Sequence, residues 1–270
     1  MVLLVSALGP PKGNVWYLAY GSNLSSSKFV RDRGIKPLAA LLVAVPGSTL
    51  AMESAGVPYQ EPSYASIRSA SKSSTGKEIT VLGTAYLVTA DQYVDIIRSE
   101  GGGIAYEEIS VRVVPLDIST KSDINSLSEN SAETPSEART LVSIMRRLPA
   151  PHPSQRYMSL VVNGAMESNY PQDYQLYLKG IKTYQPARHP RAKLGAELFL
   201  CLWIPIMTIA ERITKLSLSW FGDEYGNAPY VIILLVRAIV TAMWWHHDYL
   251  HAPIWGRGDG LDAAAIRSEV

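Results

Sequence analysis

The sequence predicts an α+β protein whose first part is a small barrel or strongly bent sheet with flanking helices, followed by an apolar helical extension. Short strand patterns of mixed spacing, separated by few helices, favour this fold over a doubly wound nucleotide-binding fold. After a basic, proline-containing link at residues 185–193, the chain becomes strongly apolar. We therefore expect two domains, residues 1–188 and residues 189–270.

Strands are predicted where apolar residues alternate with polar ones or run together over a few positions. In residues 104–114, Ile109, Val111 and Val113 share one face, and three polar residues share the other. This period of two is typical of a sheet with one wet side. The other predicted strands are Val15–Ala19 and residues 79–87, and the predicted helices are Ala90–Ser99 and residues 136–148 and 171–184.

Charge and cysteine content exclude some classes of function. The chain has 25 basic and 24 acidic residues, a net charge of +1, so no long-range field favours a nucleic-acid partner. The one cysteine excludes an intrachain disulfide. Residues 1–8 lack the basic leader and long apolar core of a secretory signal. We expect a cytoplasmic protein that binds no nucleic acid.

The most informative motif is a turn that follows the first predicted strand. It consists of Tyr20, Gly21, Ser22, Asn23 and Leu24. Glycine lets the chain turn without a Cβ clash, and serine and asparagine add short polar groups beside free backbone N–H groups, an arrangement that suits a carboxylate. The alternative is an ordinary strand-to-helix turn capped by serine or asparagine.

A second motif ends the helix predicted at Ala90–Ser99, where Glu100 is followed by Gly101. The turn and this Glu-Gly step occur in the same order in the γ-glutamyl cyclotransferase family, which the chain resembles over roughly its first two-thirds. Residues 64–68 resemble the small-residue strand that lines the family's pocket. Residues 158–174 resemble its late segment, in which an apolar strand leads through a Gly-Ala turn to a proline-started helix that bears a tyrosine.

The resemblance implies a barrel fold and an intramolecular aminolysis that releases 5-oxoproline from a γ-glutamyl group. It implies that Glu100 is the catalytic acid–base residue, with Glu53, Glu107 and Glu108 as alternatives nearby in the sequence. The substrate-binding residues that it implies are Tyr20, Gly21, Ser22, Asn23, Leu24 and Tyr174. We expect no cofactor, and the sequence contains no Walker loop, GxGxxG fingerprint or GxSxG elbow.

The resemblance leaves the substrate open among γ-glutamyl amino acids, glutathione, γ-glutamylamines and glutathione adducts. Long polar loops and an apolar tail favour a bulky adduct, as for fungal family members of the gliotoxin-pathway type, which serve secondary metabolism. One alternative is a γ-glutamylamine-specific enzyme. Another is a cyclotransferase-like module without activity, used for binding or membrane tethering.

Three departures from compact family members are visible. The glycines at residues 101–103 could make the loop that carries Glu100 mobile. The Ser-rich insertion and the C-terminal extension lack counterparts in compact members. The Ser-rich residues 69–77 and the polar residues 119–136 are predicted to be solvated loops.

The extension contains two apolar helical segments, residues 198–210 and residues 228–245. The first is shorter than the ~20 residues of a spanning helix, and the second carries Arg237 near its centre, where a charge is costly in a bilayer. The segments form either a hairpin that packs on the catalytic domain or on a second copy, or a peripheral membrane contact. We favour the packed or self-associating hairpin, with contact through residues 194–250.

The extension also holds residue types that can bind metal. His247 and His251 lie one helical turn apart, and Asp248 is adjacent, which permits a zinc site. We expect no metal, because no HExxH pattern is present and the same residues are typical of an amphipathic helix end. Cys201 has apolar neighbours, and we expect a buried, inert thiol.

Overall fold

The computed structural model describes residues 13–24, 29–30, 34–70, 79–116 and 135–261. The expectations for residues 1–8, and for most of the two polar segments at residues 69–77 and 119–136, concern parts of the chain outside these ranges.

Within the described ranges, seven strands form one sheet. They are β1 (Val15–Ala19), β2 (Ala39–Val57), β3 (Glu61–Ser69), β4 (Thr80–Val88), β5 (Tyr106–Arg112), β6 (Val114–Pro115) and β7 (Glu137–Ser143). The strand order is β3-β2-β4-β1-β7-β5, and β6 pairs with β2. The central strand β1 is antiparallel to β4 and parallel to β7.

The sheet curls into a half-barrel, which agrees with the predicted bent sheet. The 19-residue strand β2 pairs with both β3 and β4, and its register against β4 shifts between Val45 and Thr49. Such a bulge bends a strand and increases its twist. The curl brings β7 towards β3, where the backbone N–H of Ser143 donates to the Ser66 hydroxyl at 3.0 Å.

Six helices accompany the sheet in the described part of the chain. They are α1 (Ala90–Ser99), α2 (Gln155–Glu167), α3 (Gln172–Gly180), α4 (Pro190–Phe221), α5 (Tyr230–His246) and α6 (Ala252–Trp255). A short 3-10 turn lies at Ser22–Leu24, and a π-helical turn at His247–His251 joins α5 to α6.

Helix α1 has the predicted bounds because its ends are specified locally. The Thr89 hydroxyl accepts the backbone N–H of Gln92 at 3.2 Å, and the Gln92 side chain accepts the backbone N–H of Thr89 at 3.1 Å. This capping box satisfies two donors that the helix start leaves free. At the other end the helix stops at Glu100.

The helix predicted at residues 136–148 is wrong, because this segment contains strand β7. β7 lies between β1 and β5, so its backbone finds partners on both sides. The side chain of Thr140 adds a hydrogen bond to the carbonyl of Leu18 at 2.9 Å. Pairing with strands distant in sequence overrides the local helical pattern.

The apolar strand predicted within residues 158–174 is also wrong, because residues 155–167 form α2. Its buried side chains include Tyr157, Val161 and Ala165, which recur every fourth residue. Ser154 caps the helix by accepting the backbone N–H of Tyr157 at 3.0 Å.

Strand β2 had no counterpart among the predicted strands. The predicted helix at residues 171–184 is confirmed by α3.

Two apolar clusters hold the fold together. The first lies between the sheet and helices α1–α3, and includes Leu18, Tyr93 and Val161. The second joins the extension to the part of the chain before residue 189, called the catalytic domain for the role that the resemblance implies, because Tyr59 and Ile104 pack with side chains of α4 and α5. The buried members from these two helices are Phe199, Trp203, Ala210, Val236, Val240, Met243 and Trp244.

Helices α4 and α5 thus form a hairpin whose inner face packs on the catalytic domain, while its outer face is apolar and exposed. Leu216 and Val231 are 62% and 73% exposed. By length and composition, Pro190–Phe221 and Tyr230–Trp255 are long and apolar enough to cross a membrane, with hydropathies of 1.6 and 1.4. Only 22% and 28% of these apolar windows are buried in the protein.

The expectation of a buried Cys201 is wrong, because this thiol is exposed. Its sequence neighbours are apolar, but α4 buries only one of its faces. Cys201 lies two residues from the buried Phe199 and Trp203, and so projects from a different side of the helix.

A network of charged groups also anchors the extension. Asp248 accepts hydrogen bonds from Arg147 of the catalytic domain, from Arg257 at 3.0 Å and from His247 Nδ1 at 2.9 Å. Burial raises the pKa of the Asp248 carboxyl, but these hydrogen bonds and the charge of Arg147 outweigh burial and lower the pKa to about 2.

This low pKa predicts that Asp248 stabilises the fold above about pH 4, and that its contribution is lost as the pH falls through about 2. We expect Asp248→Asn to lower the free energy of unfolding by about 2 kcal/mol near neutral pH, because Arg147 loses its anion and Arg257 keeps only Asp259. Urea denaturation should show the difference from wild type shrinking below about pH 4. Equal stability of the two proteins at neutral pH would contradict this assignment.

The matched control is Asp95→Asn. The Asp95 side chain is 62% exposed and forms only an i,i+3 ion pair with Arg98. Exposed pairs of this kind contribute little, so we expect a change of less than about 0.5 kcal/mol at any pH tested.

Candidate active site

The candidate site begins at the end of the central strand β1. Tyr20 follows this strand, and the backbone then turns through Gly21 into the 3-10 turn at Ser22–Leu24, where the Leu24 N–H donates to the Gly21 carbonyl at 3.0 Å. Leu24 is fully buried in the first core, so it anchors the turn and does not face a ligand.

This turn borders a cavity of about 40 Å³ that opens to solvent. Residues of β1, β3, β5, β7 and α2, together with Glu100, complete its wall. The lining residues are Tyr17, Tyr20, Gly21, Ser22, Asn23, Ala65, Glu100, Tyr106, Leu141 and Tyr157. The structure therefore brings four residues of the predicted turn and Glu100 to one place.

Asn23 connects the turn to Glu100. Its Nδ2 donates to Glu100 Oε1 at 3.0 Å and to the Tyr17 hydroxyl at 2.9 Å. Asn23 is 5% exposed, and its Oδ1 is a buried atom without a hydrogen-bond partner in the described residues. An unpaired buried acceptor is costly, so this oxygen offers a place for a ligand donor.

Tyr157 of α2 lies on the other side of the turn. Its hydroxyl accepts the backbone N–H of Ala65 at 3.0 Å. That bond uses a lone pair of the hydroxyl and not its proton, so the proton can be donated into the cavity. Gly21 permits this approach, because a Cβ there would come within 3.0 Å of the hydroxyl and 3.3 Å of the Ala65 Cβ.

The tyrosines around the cavity are neutral donors. Burial is the main cause that raises the pKa values of Tyr20, Tyr106 and Tyr157 above their usual range, and the negative charge of Glu100 raises each of them further. Tyr20 uses its hydroxyl to donate to the carbonyl of Leu141, so its ring, more than its hydroxyl, is available to a ligand.

The other acidic candidates are placed elsewhere. Glu53 is 1% exposed and accepts from Arg146 at 2.6 Å, whereas Glu108 accepts from Arg139 at 2.8 Å and from Tyr93 at 2.9 Å. Among the acidic side chains that the structure describes, Glu100 is the one that lines the cavity.

Tyr174, implied as a substrate contact, does not line the cavity. It is 3% exposed, its hydroxyl donates to the carbonyl of Leu82 at 3.3 Å, and its ring packs against Tyr170 and Tyr177. The implied contact is therefore corrected, because the side chain points into the first core.

Sequence reasoning missed three tyrosines at the site, Tyr17, Tyr106 and Tyr157. Tyr17 lies in a predicted apolar strand, whereas Tyr106 falls on the face of its predicted strand that was expected to be wet, so the pattern gave no signal for it. Tyr157 lies one residue before the segment that was compared with the family, and an apolar strand was predicted there. A helical reading with Ser154 as the N-cap would have pointed to Tyr157.

The extension offers a metal-like cluster, in which ligand atoms of His247, Asp248 and Asp259 lie within 4.8 Å of one another. The side chains of this cluster already have hydrogen-bond partners within the protein. His247 Nε2 accepts the Gly258 N–H at 3.0 Å, and Arg257 donates to both aspartates. A guanidinium thus supplies the positive charge that a cation would bring. His251 points away from this cluster and contacts the Gly195 carbonyl at 2.8 Å.

Comparisons with known proteins identify the class of protein. The γ-glutamyl cyclotransferase aclK of Aspergillus oryzae is 40% identical over 261 residues, covering 94% of this chain and 93% of the relative. The γ-glutamyl cyclotransferase gliK of Aspergillus fumigatus is 34% identical over 266 residues, covering 94% and 93%. The chain belongs to the γ-glutamyl cyclotransferase family, and it is an enzyme of that family.

Two further matches concern parts of the chain. A family model described as the AclK C-terminal domain matches residues 189–254. A solved structure titled γ-glutamyl cyclotransferase covers 66% of this chain and 91% of its own, at 19% identity and a TM-score of 0.45.

Proposed function

We propose that the protein releases 5-oxoproline from the γ-glutamyl group of a glutathione adduct, in fungal secondary metabolism. The observation that carries the proposal is the pairing of Asn23 with Glu100 at one open cavity, where Asn23 Oδ1 lacks a partner. A carboxylate and an unpaired acceptor side by side suit the α-ammonium group of a γ-glutamyl substrate.

The α-carboxylate of the substrate would be held on the side of the cavity opposite Glu100. The Tyr157 hydroxyl donates to it, beside the backbone of Gly21 and Ser22. The hydroxyl thus shares the role that the sequence gave to the backbone N–H groups of the turn. Fixing both ends of the amino acid folds the γ-carbonyl back towards the amine, and such positioning lowers the entropic barrier to ring closure.

Glu100 then moves two protons in succession. Its carboxylate accepts one proton from the α-ammonium and passes it to solvent, and the freed amine attacks the γ-carbonyl carbon, forming the ring C–N bond while the carbonyl electron pair moves to the oxygen. Glu100 next takes the second proton from the ring nitrogen and gives it to the leaving nitrogen as that C–N bond breaks and the electron pair returns from the oxygen. The products are 5-oxoproline, a free amine and one proton released to solvent.

The shape of the cavity supports a bulky leaving group. Its volume of about 40 Å³ and its opening to solvent leave room inside only for the reacting end of a substrate. Everything attached to the leaving nitrogen would lie outside, where size is not restricted. The relatives named aclK and gliK are fungal proteins, which favours the adduct over a simple γ-glutamyl amino acid.

The test is 5-oxoproline release from γ-glutamyl-alanine, glutathione, a γ-glutamylamine and a glutathione S-conjugate. We expect all turnover to require a free α-amine, so an N-acetylated γ-glutamyl substrate should give no product. The highest kcat/KM should belong to the S-conjugate. Preference for the γ-glutamylamine would overturn the proposed substrate, and no product from any compound would favour a binding module without activity.

A further inference from the structure

The loop after Glu100 is fixed by its own helix only at its start. Gly101, Gly102 and Gly103 have φ values of +92°, +57° and +82°, and glycine has more conformational freedom than any other residue. The N–H groups of Gly101 and Gly102 donate to the last turn of α1 at 3.2 and 2.9 Å. The carbonyls of residues 102–104 depend on partners from outside the loop, and so does the position of the loop that carries Glu100.

Those contacts come from the C-terminal extension. The Ala228 N–H donates to the Gly102 carbonyl at 2.9 Å. Arg237 donates through Nη2 to the Gly103 carbonyl at 2.8 Å and through Nε to the Ile104 carbonyl at 2.9 Å. Three successive carbonyls of the loop thus accept from the extension. The sequence predicted a mobile loop, whereas the structure gives this loop fixed partners.

The hairpin also approaches the loop and α1 so closely that a residue larger than glycine would clash at two positions. A Cβ at Gly102 would lie 2.7 Å from Leu218 Cδ2 and 2.9 Å from the Ala228 nitrogen. A Cβ at Gly226, in the turn between α4 and α5, would lie 2.7 Å from the carbonyl oxygen of Val94 in α1. The turn of the hairpin is therefore fitted against both the helix and the loop that flank Glu100.

We propose that the α4–α5 hairpin positions Glu100 for proton transfer, and that Arg237 is the main positioning residue, because it holds the loop at residues 101–104. The inference rests on the proposed function, since that function gives Glu100 its role. By this inference the extension takes part in the reaction by positioning the catalytic loop. It does so without contacting the substrate, and its role goes beyond packing.

The chemistry of Arg237 supports this assignment. It is the only Asp, Glu, Lys or Arg in the sequence of α5, and burial lowers its pKa, although an arginine stays charged at any physiological pH. A guanidinium in an apolar helix is costly unless its donors have fixed acceptors. A leucine would serve better if packing were its only task.

The first test compares kcat and KM for Arg237→Leu, Arg237→Lys and the control Arg212→Leu. Arg212 is exposed on α4. We expect Arg237→Leu to lower kcat about 10- to 100-fold with KM within about threefold, because a small displacement of a catalytic group slows chemistry strongly. Arg237→Lys should retain part of the activity, since one ammonium can reach one carbonyl. The control should match wild type.

The second test is a double-mutant cycle with Glu100→Gln. If Arg237 acts through Glu100, Arg237→Leu should lower the residual rate of Glu100→Gln by less than about threefold. An equal loss in both backgrounds would overturn the inference. So would a folded Arg237→Leu protein whose kcat lies within twofold of wild type.

Amide hydrogen exchange gives a readout that does not require activity. Residues 101–104 should exchange faster in Arg237→Leu than in wild type or Arg212→Leu, and unchanged exchange would overturn the inference. If Arg237→Leu does not fold, Gly102→Ala replaces it, because its Cβ displaces the same contacts. Full turnover by Glu100→Gln would instead overturn the proposed function, while the exchange experiment would still test the hairpin.

Discussion

Replacement of Glu100 by glutamine should lower kcat by about a thousandfold, the usual contribution of a positioned acid–base group. Glutamine keeps the shape of the side chain and an oxygen that can accept the Asn23 amide, but it cannot take a proton from the substrate ammonium. Turnover of γ-glutamyl-alanine and of the glutathione S-conjugate should fall together, because the proton steps are common to both. The rate is measured as 5-oxoproline release under saturating substrate.

The control for this replacement is Glu167→Gln. Glu167 is the last residue of α2, so it lies at the C-terminal end of a helix, as Glu100 does. Unlike Glu100, it is exposed and does not line the cavity. We expect its kcat and thermal unfolding to match wild type. If Glu100→Gln changed only stability, with turnover kept, Glu100 would be a structural residue and the reaction would use another base.

Removal of the Tyr157 hydroxyl should have the second largest effect. Tyr157→Phe removes a donor for the substrate carboxylate, and a hydrogen bond to a charged group contributes about 1.5–3 kcal/mol. We therefore expect KM to rise about 10- to 100-fold, with kcat changed less than threefold. The variant also leaves the N–H group of Ala65 without its acceptor, so unfolding should become easier by about 1–3 kcal/mol.

Tyr174→Phe is the matched control, because the same atom is removed from another buried tyrosine. The Tyr174 hydroxyl bonds the Leu82 carbonyl in the first core, away from the cavity. We expect a small loss of stability and a KM within about twofold of wild type. A large rise in KM for Tyr174→Phe, with none for Tyr157→Phe, would restore the contact that the resemblance implied and reject the role proposed for Tyr157.

Local signals in the sequence predicted the elements whose ends are specified by neighbours. Helix α1 is bounded by its capping box and by Glu100, and the turn at residues 20–24 follows a short apolar strand. Strand β7 and helix α2 were assigned the wrong type. β7 is a strand because β1 and β5 lie on either side of it, and this pairing has no local trace in the sequence.

The same division holds at the site. The sequence by itself determined the chemical groups at the site, which are a glycine-containing turn with Asn23 and a glutamate followed by glycine, because residue type limits the chemistry of a side chain. Only the tertiary structure decided which groups meet. It brought Tyr157 to the turn, kept Tyr174 in the core and placed Arg237 on the loop after Glu100. These contacts join residues 92 to 134 positions apart, so they depend on how the sheet curls and the hairpin packs. Hydrophobic packing of this kind is not directional enough to be inferred from a linear pattern.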